Sequence, residues 1–136
     1  MDTDTHGSEP ELTEAVIGAA FEVANVLGAG FLERVYERAL LRELGLRGVK
    51  AKAQVPFRVC YKGQYVGEYL ADLVVEKKLI VELKCVERFA NEHLAQCINY
   101  LKVSGLQVAL LINFQRPKVE WKRVLLDRQC LSVPIT

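Results

Sequence analysis

Three charged residues interrupt the apolar stretch at 71–85, ADLVVEKKLIVELKC: Asp72, Glu82 and Lys84. Successive side chains of a strand point to opposite faces, so Glu82 and Lys84 share one face while Val81, Leu83 and Cys85 share the other. A tight turn at Glu76, Lys77 and Lys78 returns the chain so that Asp72 and Glu82 meet at one spot. Two carboxylates in contact repel, and one of them takes up a proton. A hard divalent cation resolves the repulsion; Mg²⁺ prefers oxygen ligands and keeps several of its waters. Phosphodiester hydrolysis then needs a readied water and a counter-charge for the phosphate, and a lysine beside the metal serves both ends. The pattern D-x₉-E-x-K is also what any hairpin with one solvated face produces, so the three residues alone leave both readings open.

The surrounding elements must bring these side chains together. Residues 10–27, PELTEAVIGAAFEVANVL, repeat apolar residues at helical spacing, with Leu12, Val16, Ala19, Ala20, Val23 and Val26 facing inward. The glycines of Gly28-Ala29-Gly30 close that helix. A second helix, FLERVYERALLRELG, turns Leu32, Val35, Tyr36, Ala39, Leu40 and Leu44 inward and ends at Gly45 or Gly48. The period then changes to two: AQVPFRVCYKGQYVGEYLADLVV reads as two strands joined near Lys62-Gly63. A third strand runs over 79–84, and an amphipathic helix over 91–104 has Leu94, Cys97, Ile98 and Leu101 as its dry stripe. QVALLINF is apolar throughout, as in a strand buried on both faces, and VEWKRVLL reads as a final edge strand. The order α-α-β-β-β-α-β-β predicts an α/β fold with a mixed sheet flanked by helices. Residues 1–9 are expected to form a loose tail, and residues 10–136 one domain.

Several short patterns recur in order along this frame. GFLERVY places Gly30, Glu33 and Tyr36 as G-x-x-E-x-x-Y. AD at 71–72, VELK at 81–84, QCINY at 96–100 and LLINF at 110–114 follow. The combination resembles the GxxExxY family, a branch of the PD-(D/E)XK nuclease superfamily, over residues 11–126. The resemblance implies a restriction-endonuclease-like fold and a metal-dependent nuclease acting on DNA. By it, Asp72 and Glu82 are direct metal ligands, the Leu83 carbonyl is a further ligand, Glu33 reaches the metal through water, and Lys84 is the catalytic lysine. Gln96 and Tyr100 match a Q-x-x-x-Y helix that orders the site and approaches DNA, and Tyr36 supports it. Alanine stands here where the superfamily pattern has proline before the aspartate. The expected cofactor is Mg²⁺, with Mn²⁺ as a substitute. A module that keeps the fold and binds nucleic acid or protein without catalysis is the alternative. Retention of Glu33, Asp72, Glu82 and Lys84 together favours the enzyme.

Charge distribution adds a second line. The net charge is +1, yet residues 1–33 hold seven acids and no Lys or Arg, leaving 18 basic against 10 acidic residues in 34–136. That asymmetry suits a polyanion-facing surface and equally a set of solvated helix faces. Arg34, Arg38 and Arg42 form a basic ridge beside Glu33, fit for phosphate contact or for pairing with acids. Lys118, Lys122 and Arg123 surround Trp121, which could stack on an unpaired base or pack on the last strand. LGAGFLE does not read as a dinucleotide loop, because a helix precedes it and Glu33 stands where the third glycine belongs. Two histidines exclude a multi-histidine zinc site, and the four cysteines show no CxxC spacing, as for reduced thiols in the cytoplasm. No apolar run is long enough for a membrane span. The apolar end LSVPIT suggests a homodimer, and the absence of a separate DNA-reading domain suggests a larger DNA-processing complex.

Overall fold

The computed structural model describes residues 9–126. Helices α1 (Glu9–Leu27) and α2 (Glu33–Leu46) precede strands β1 (Ala51–Tyr61), β2 (Gln64–Val75) and β3 (Leu79–Lys84). Helix α3 (Asn91–Ser104) then leads to β4 (Val108–Asn113) and β5 (Glu120–Leu125). The five strands lie in sequence order in one sheet; the β3–β4 pair is parallel and the other pairs are antiparallel. This is the mixed α/β sheet expected of the restriction-endonuclease-like fold, in the expected element order.

Alternation along the strands divides the core in two. Leu73, Val75, Val81, Leu83, Leu110 and Ile112 pack under α1 and α2, while Ala71, Ile80, Ala109 and Leu111 pack under α3. Because β3 and β4 are covered on both faces, all six residues of β4 are buried. The turns follow local chemistry: Lys62 and Gly63, both at positive φ, close the β1–β2 hairpin, as a two-residue turn matching strand twist requires.

Three expected core residues point outward. Val26, Leu32 and Val35 are exposed. Ala24 takes the inward place in the last turns of α1, and Leu32 is the N-cap of α2 rather than part of it. The first turn of α2 lies beyond the end of β3, where Glu33 meets the Cys85 amide, so Val35 has no sheet to cover. Glu9, expected in the tail, opens α1. The rest of the tail and LSVPIT, on which the dimer expectation rested, lie outside the described residues.

Candidate active site

Strands β2 and β3 pair over Val75↔Leu79, Val74↔Ile80 and Leu73↔Val81. One residue further, Asp72 would oppose Glu82, and there side chains replace the backbone ladder. The Asp72 amide donates to Glu82 Oε2 at 3.0 Å, and the Leu83 amide donates to Asp72 Oδ2 at 2.8 Å. Each carboxylate thus caps the strand of the other, and the strands part at the point where both acids sit. The structure brings Asp72 and Glu82 together, and the Lys84 charge acts on both. Lys84 Nζ donates to Gln96 Oε1 at 3.1 Å, so α3 fixes the lysine head beside Glu82.

Glu33 arrives from the other helical layer. Its Oε2 accepts the Cys85 amide at 3.1 Å, just past Lys84. The G-x-x-E-x-x-Y pattern has a physical reading here. Gly30 has φ of 106°, a conformation other residues rarely adopt, although a Cβ there would meet nothing within 4 Å. The backbone, not space, demands glycine. Tyr36 is fully buried; its hydroxyl donates to the Gly28 carbonyl at 2.6 Å and accepts the Phe31 amide at 3.2 Å. Its ring stacks on Phe114 with centroids 4.6 Å apart. The tyrosine pins the α1–α2 loop so that Glu33 enters α2 facing the strand ends.

Tyr36 and Tyr100, two of the residues expected to support the site or approach DNA, are both buried, and their hydroxyls bind backbone carbonyls. The Tyr100 hydroxyl is spent on the Leu70 carbonyl at 3.1 Å, and its ring meets Tyr69 edge-on. Cys85 is no nucleophile candidate, since burial and then the Glu33 charge push its thiol pKa up. His93 serves its own helix, with Nδ1 accepting the Ala90 amide at 2.9 Å.

Three contributors carried no predicted role. Glu37 lies one turn after Glu33, and its charge acts on Asp72 more strongly than that of Glu33 does. Gln54 lies opposite Asp72 on β1, at φ of 54° in the middle of the strand. Its amide donates to Glu37 Oε1 at 2.8 Å and stands 3.5 Å from Asp72 Oδ1. Asn113, nearly fully buried, binds both the amide and the carbonyl of Val86, locking the chain just after Lys84 to the end of β4. The four-residue spacing of Glu33 and Glu37 could have revealed Glu37. Nothing local signals Gln54.

Electrostatics makes the site unstable as a pair of free carboxylates. Burial first, and the Asp72 charge second, push the Glu82 carboxyl up to about 8 from 4.5. Asp72 is also raised, chiefly by burial, against the opposing Leu83 hydrogen bond. Among the described residues no three His, Cys, Asp or Glu side chains form a ready-made metal cage. The donors on offer are carboxylate and carbonyl oxygens, which fits a hard cation that keeps water and does not fit a soft one.

A sequence model described as the PD-(D/E)XK nuclease superfamily matches residues 10–124. The chain belongs to the PD-(D/E)XK nuclease superfamily. Two solved structures are similar in fold. SSO0001 is 14% identical, with 88% of this chain and 81% of that one covered and a TM-score of 0.48. An alkaline exonuclease (LHK-Exo) from Laribacter hongkongensis is 14% identical, with 90% and 85% covered and a TM-score of 0.49. No curated protein matches. Membership makes nucleic acid the substrate class and phosphodiester hydrolysis the reaction class.

The basic residues separate on this frame. Arg34, Arg38 and Arg42 are exposed along α2, next to the Glu33–Glu37 row. Lys122 and Arg123 do not form one patch around Trp121, because strand alternation sends them to opposite faces. Trp121 and Arg123 instead line a groove against Glu14, Ile17 and Phe21 of α1. No helix among the described residues is long and apolar enough to cross a membrane.

Proposed function

We propose that residues 10–136 form a single Mg²⁺-dependent nuclease unit hydrolysing phosphodiester bonds of DNA, with Mn²⁺ as a working substitute. The observation that carries this reading is the reciprocal clasp of Asp72 and Glu82, with Lys84 held beside it by Gln96. Asp72, Glu82 and the Leu83 carbonyl would hold the cation, and Glu33 would reach it through water. A bound divalent cation supplies Lewis-acid polarisation of the phosphate and lowers the pKa of water. The chain's own groups do the rest. Lys84, oriented by Gln96, meets the charge that grows on the phosphate and orients the water. Gln54 and the Leu83 amide hold Asp72 in place from two sides. Arg34, Arg38 and Arg42 would receive backbone phosphates without reading sequence. A cytoplasmic setting and action as a homodimer or within a larger DNA-processing complex complete the proposal.

The test is incubation with labelled single- and double-stranded DNA and RNA in Mg²⁺, Mn²⁺ or EDTA. Cleavage of DNA that requires the metal is expected. Nucleic-acid binding without cleavage under any metal would instead identify a non-catalytic module.

A further inference from the structure

We propose that the outer part of the β1–β2 hairpin is a stacking arm for single-stranded nucleic acid. Tyr61 and Tyr65 are its base-stacking side chains, and Arg58 and Lys62 are the cations for the adjoining phosphates. The inference rests on the nuclease reading above and extends it from the scissile bond to the strand that is held.

The arm begins at the site. β2 pairs with β3 only over Leu73–Val75, yet it pairs with β1 out to Tyr61↔Gln64. From Asp72 to Gly63 is nine residues of chain, or roughly 30 Å at strand rise. The lower part of this overhang is anchored, since Phe57 and Tyr69 pack under α3. Further out the register shifts between Val59 and Cys60, leaving Val66 without a partner. Such a bulge adds twist and re-aims the side chains beyond it.

Beyond the bulge the composition is unusual for an uncovered hairpin end. Tyr61 is 63% exposed and Tyr65 47%. The Cys60↔Tyr65 and Tyr61↔Gln64 pairings send the two rings to opposite faces of the tip, so a strand would cross the tip to stack on both. Each ring carries a cation: the guanidinium of Arg58, just before the bulge, is 4.6 Å from the Tyr65 centroid, and Lys62 Nζ is 5.4 Å from that of Tyr61. Exposed aromatic faces paired with positive charge offer stacking and phosphate neutralisation together, which is how single strands are held without sequence preference. A duplex hides its base faces inside its own stack, so unpaired bases are the better fit. A second copy of this chain could also cover the tip, since tyrosine and arginine are common at protein interfaces, but Lys62 is of a type depleted there and the two cations suit a polyanion.

Fluorescence anisotropy with a labelled single-stranded oligonucleotide, long enough to span from the carboxylates to the tip, tests this in EDTA. The Tyr61→Ala/Tyr65→Ala variant should bind ~10- to 100-fold more weakly, and Tyr61→Phe/Tyr65→Phe should stay near wild type because the rings remain. Duplex binding should change less, circular dichroism should show an unchanged fold, and metal-supported hydrolysis of bis(p-nitrophenyl) phosphate, too small to reach the arm, should be retained. If wild type binds the strand and the alanine variant binds it equally well, the arm is overturned and the nuclease reading stands. If affinity is unchanged while light scattering shows a dimer becoming a monomer, the tip is a protein interface and the proposal is wrong. A wild type that neither binds nor cleaves any nucleic acid removes the nuclease reading, and the arm with it.

Discussion

The clasp between Asp72 and Glu82 makes the metal-free protein a pH-sensitive object, and the sign of that sensitivity can be worked out. Glu82 has a folded pKa of about 8 against an ordinary 4.5, raised first by burial and then by the Asp72 charge. Between those values the native state holds a proton that the unfolded chain has released. Stability therefore falls as pH rises through that window, with a limiting slope of about 1.4 kcal/mol per pH unit. At pH 7 the accumulated loss is ~3 kcal/mol as a ceiling. Asp72 is shifted in the same direction, chiefly by burial, with the Glu37 and Glu33 charges adding to it. Urea unfolding in EDTA at pH 5 to 8 should show wild type losing stability relative to Glu82→Gln, and the glutamine variant should be the more stable at pH 8. Adding Mg²⁺ at pH 8 should restore wild type and leave Glu82→Gln little changed, since a ligand of the native state stabilises by mass action. Parallel pH profiles for the two proteins would refute the reasoning, because Glu82 would then retain no extra proton in the folded state.

The other expected outcomes follow from single contacts. Lys84→Ala should lower turnover on DNA by ~10²–10³ while calorimetric Mg²⁺ affinity changes far less; equal cleavage by the variant would end its assignment. Asp72→Asn keeps an acceptor for the Leu83 amide, so it should fold as stably as wild type in EDTA at pH 8, or more so, and should bind Mg²⁺ weakly by calorimetry. Tyr36→Phe should cost ~1–3 kcal/mol in urea unfolding, since the buried Gly28 carbonyl and Phe31 amide lose their shared hydroxyl.

Much of this was legible in the sequence because the signals were local. Alternation put Glu82 and Lys84 on one face, and the change of period from 3.6 to 2 separated α2 from β1. The glycine-rich break set the start of α2 near Glu33. What failed was inference about depth. Val26, Leu32 and Val35 satisfy a helical stripe, but a stripe says only which side is dry, not where the sheet beneath it ends. Lys122 and Arg123 looked like a patch in one dimension, and the strand period divides them. Asn113 was visible within LLINF, yet its task of tying Val86 to the end of β4 depends on a parallel pairing that no local pattern encodes.

Gln54 is the clearest case of a residue that only the fold can reveal. It occupies a left-handed conformation inside a strand, which costs of order 1 kcal/mol or more for a residue with a Cβ. On its two sides the faces change: Leu73 packs under α1 and α2, while Ala71, two residues away, packs under α3. Strict alternation would put both on one face, so the hairpin turns over where Gln54 lies opposite Asp72. The strained residue thus does two things at once. It rotates the outer hairpin against α3, and it aims its amide at Glu37 and Asp72. Glycine at this position separates the two effects, since it adopts the backbone freely but has no amide. Gln54→Gly should be as stable as wild type by urea unfolding, or slightly more so, and should bind Mg²⁺ several-fold more weakly because Asp72 loses a constraint. Gln54→Ala should be the less stable of the two variants, keeping the strain without the hydrogen bond. If Gln54→Gly is destabilised and its metal affinity is unchanged, the amide contributes to the fold rather than to the site, and Asp72 is held by the Leu83 amide alone.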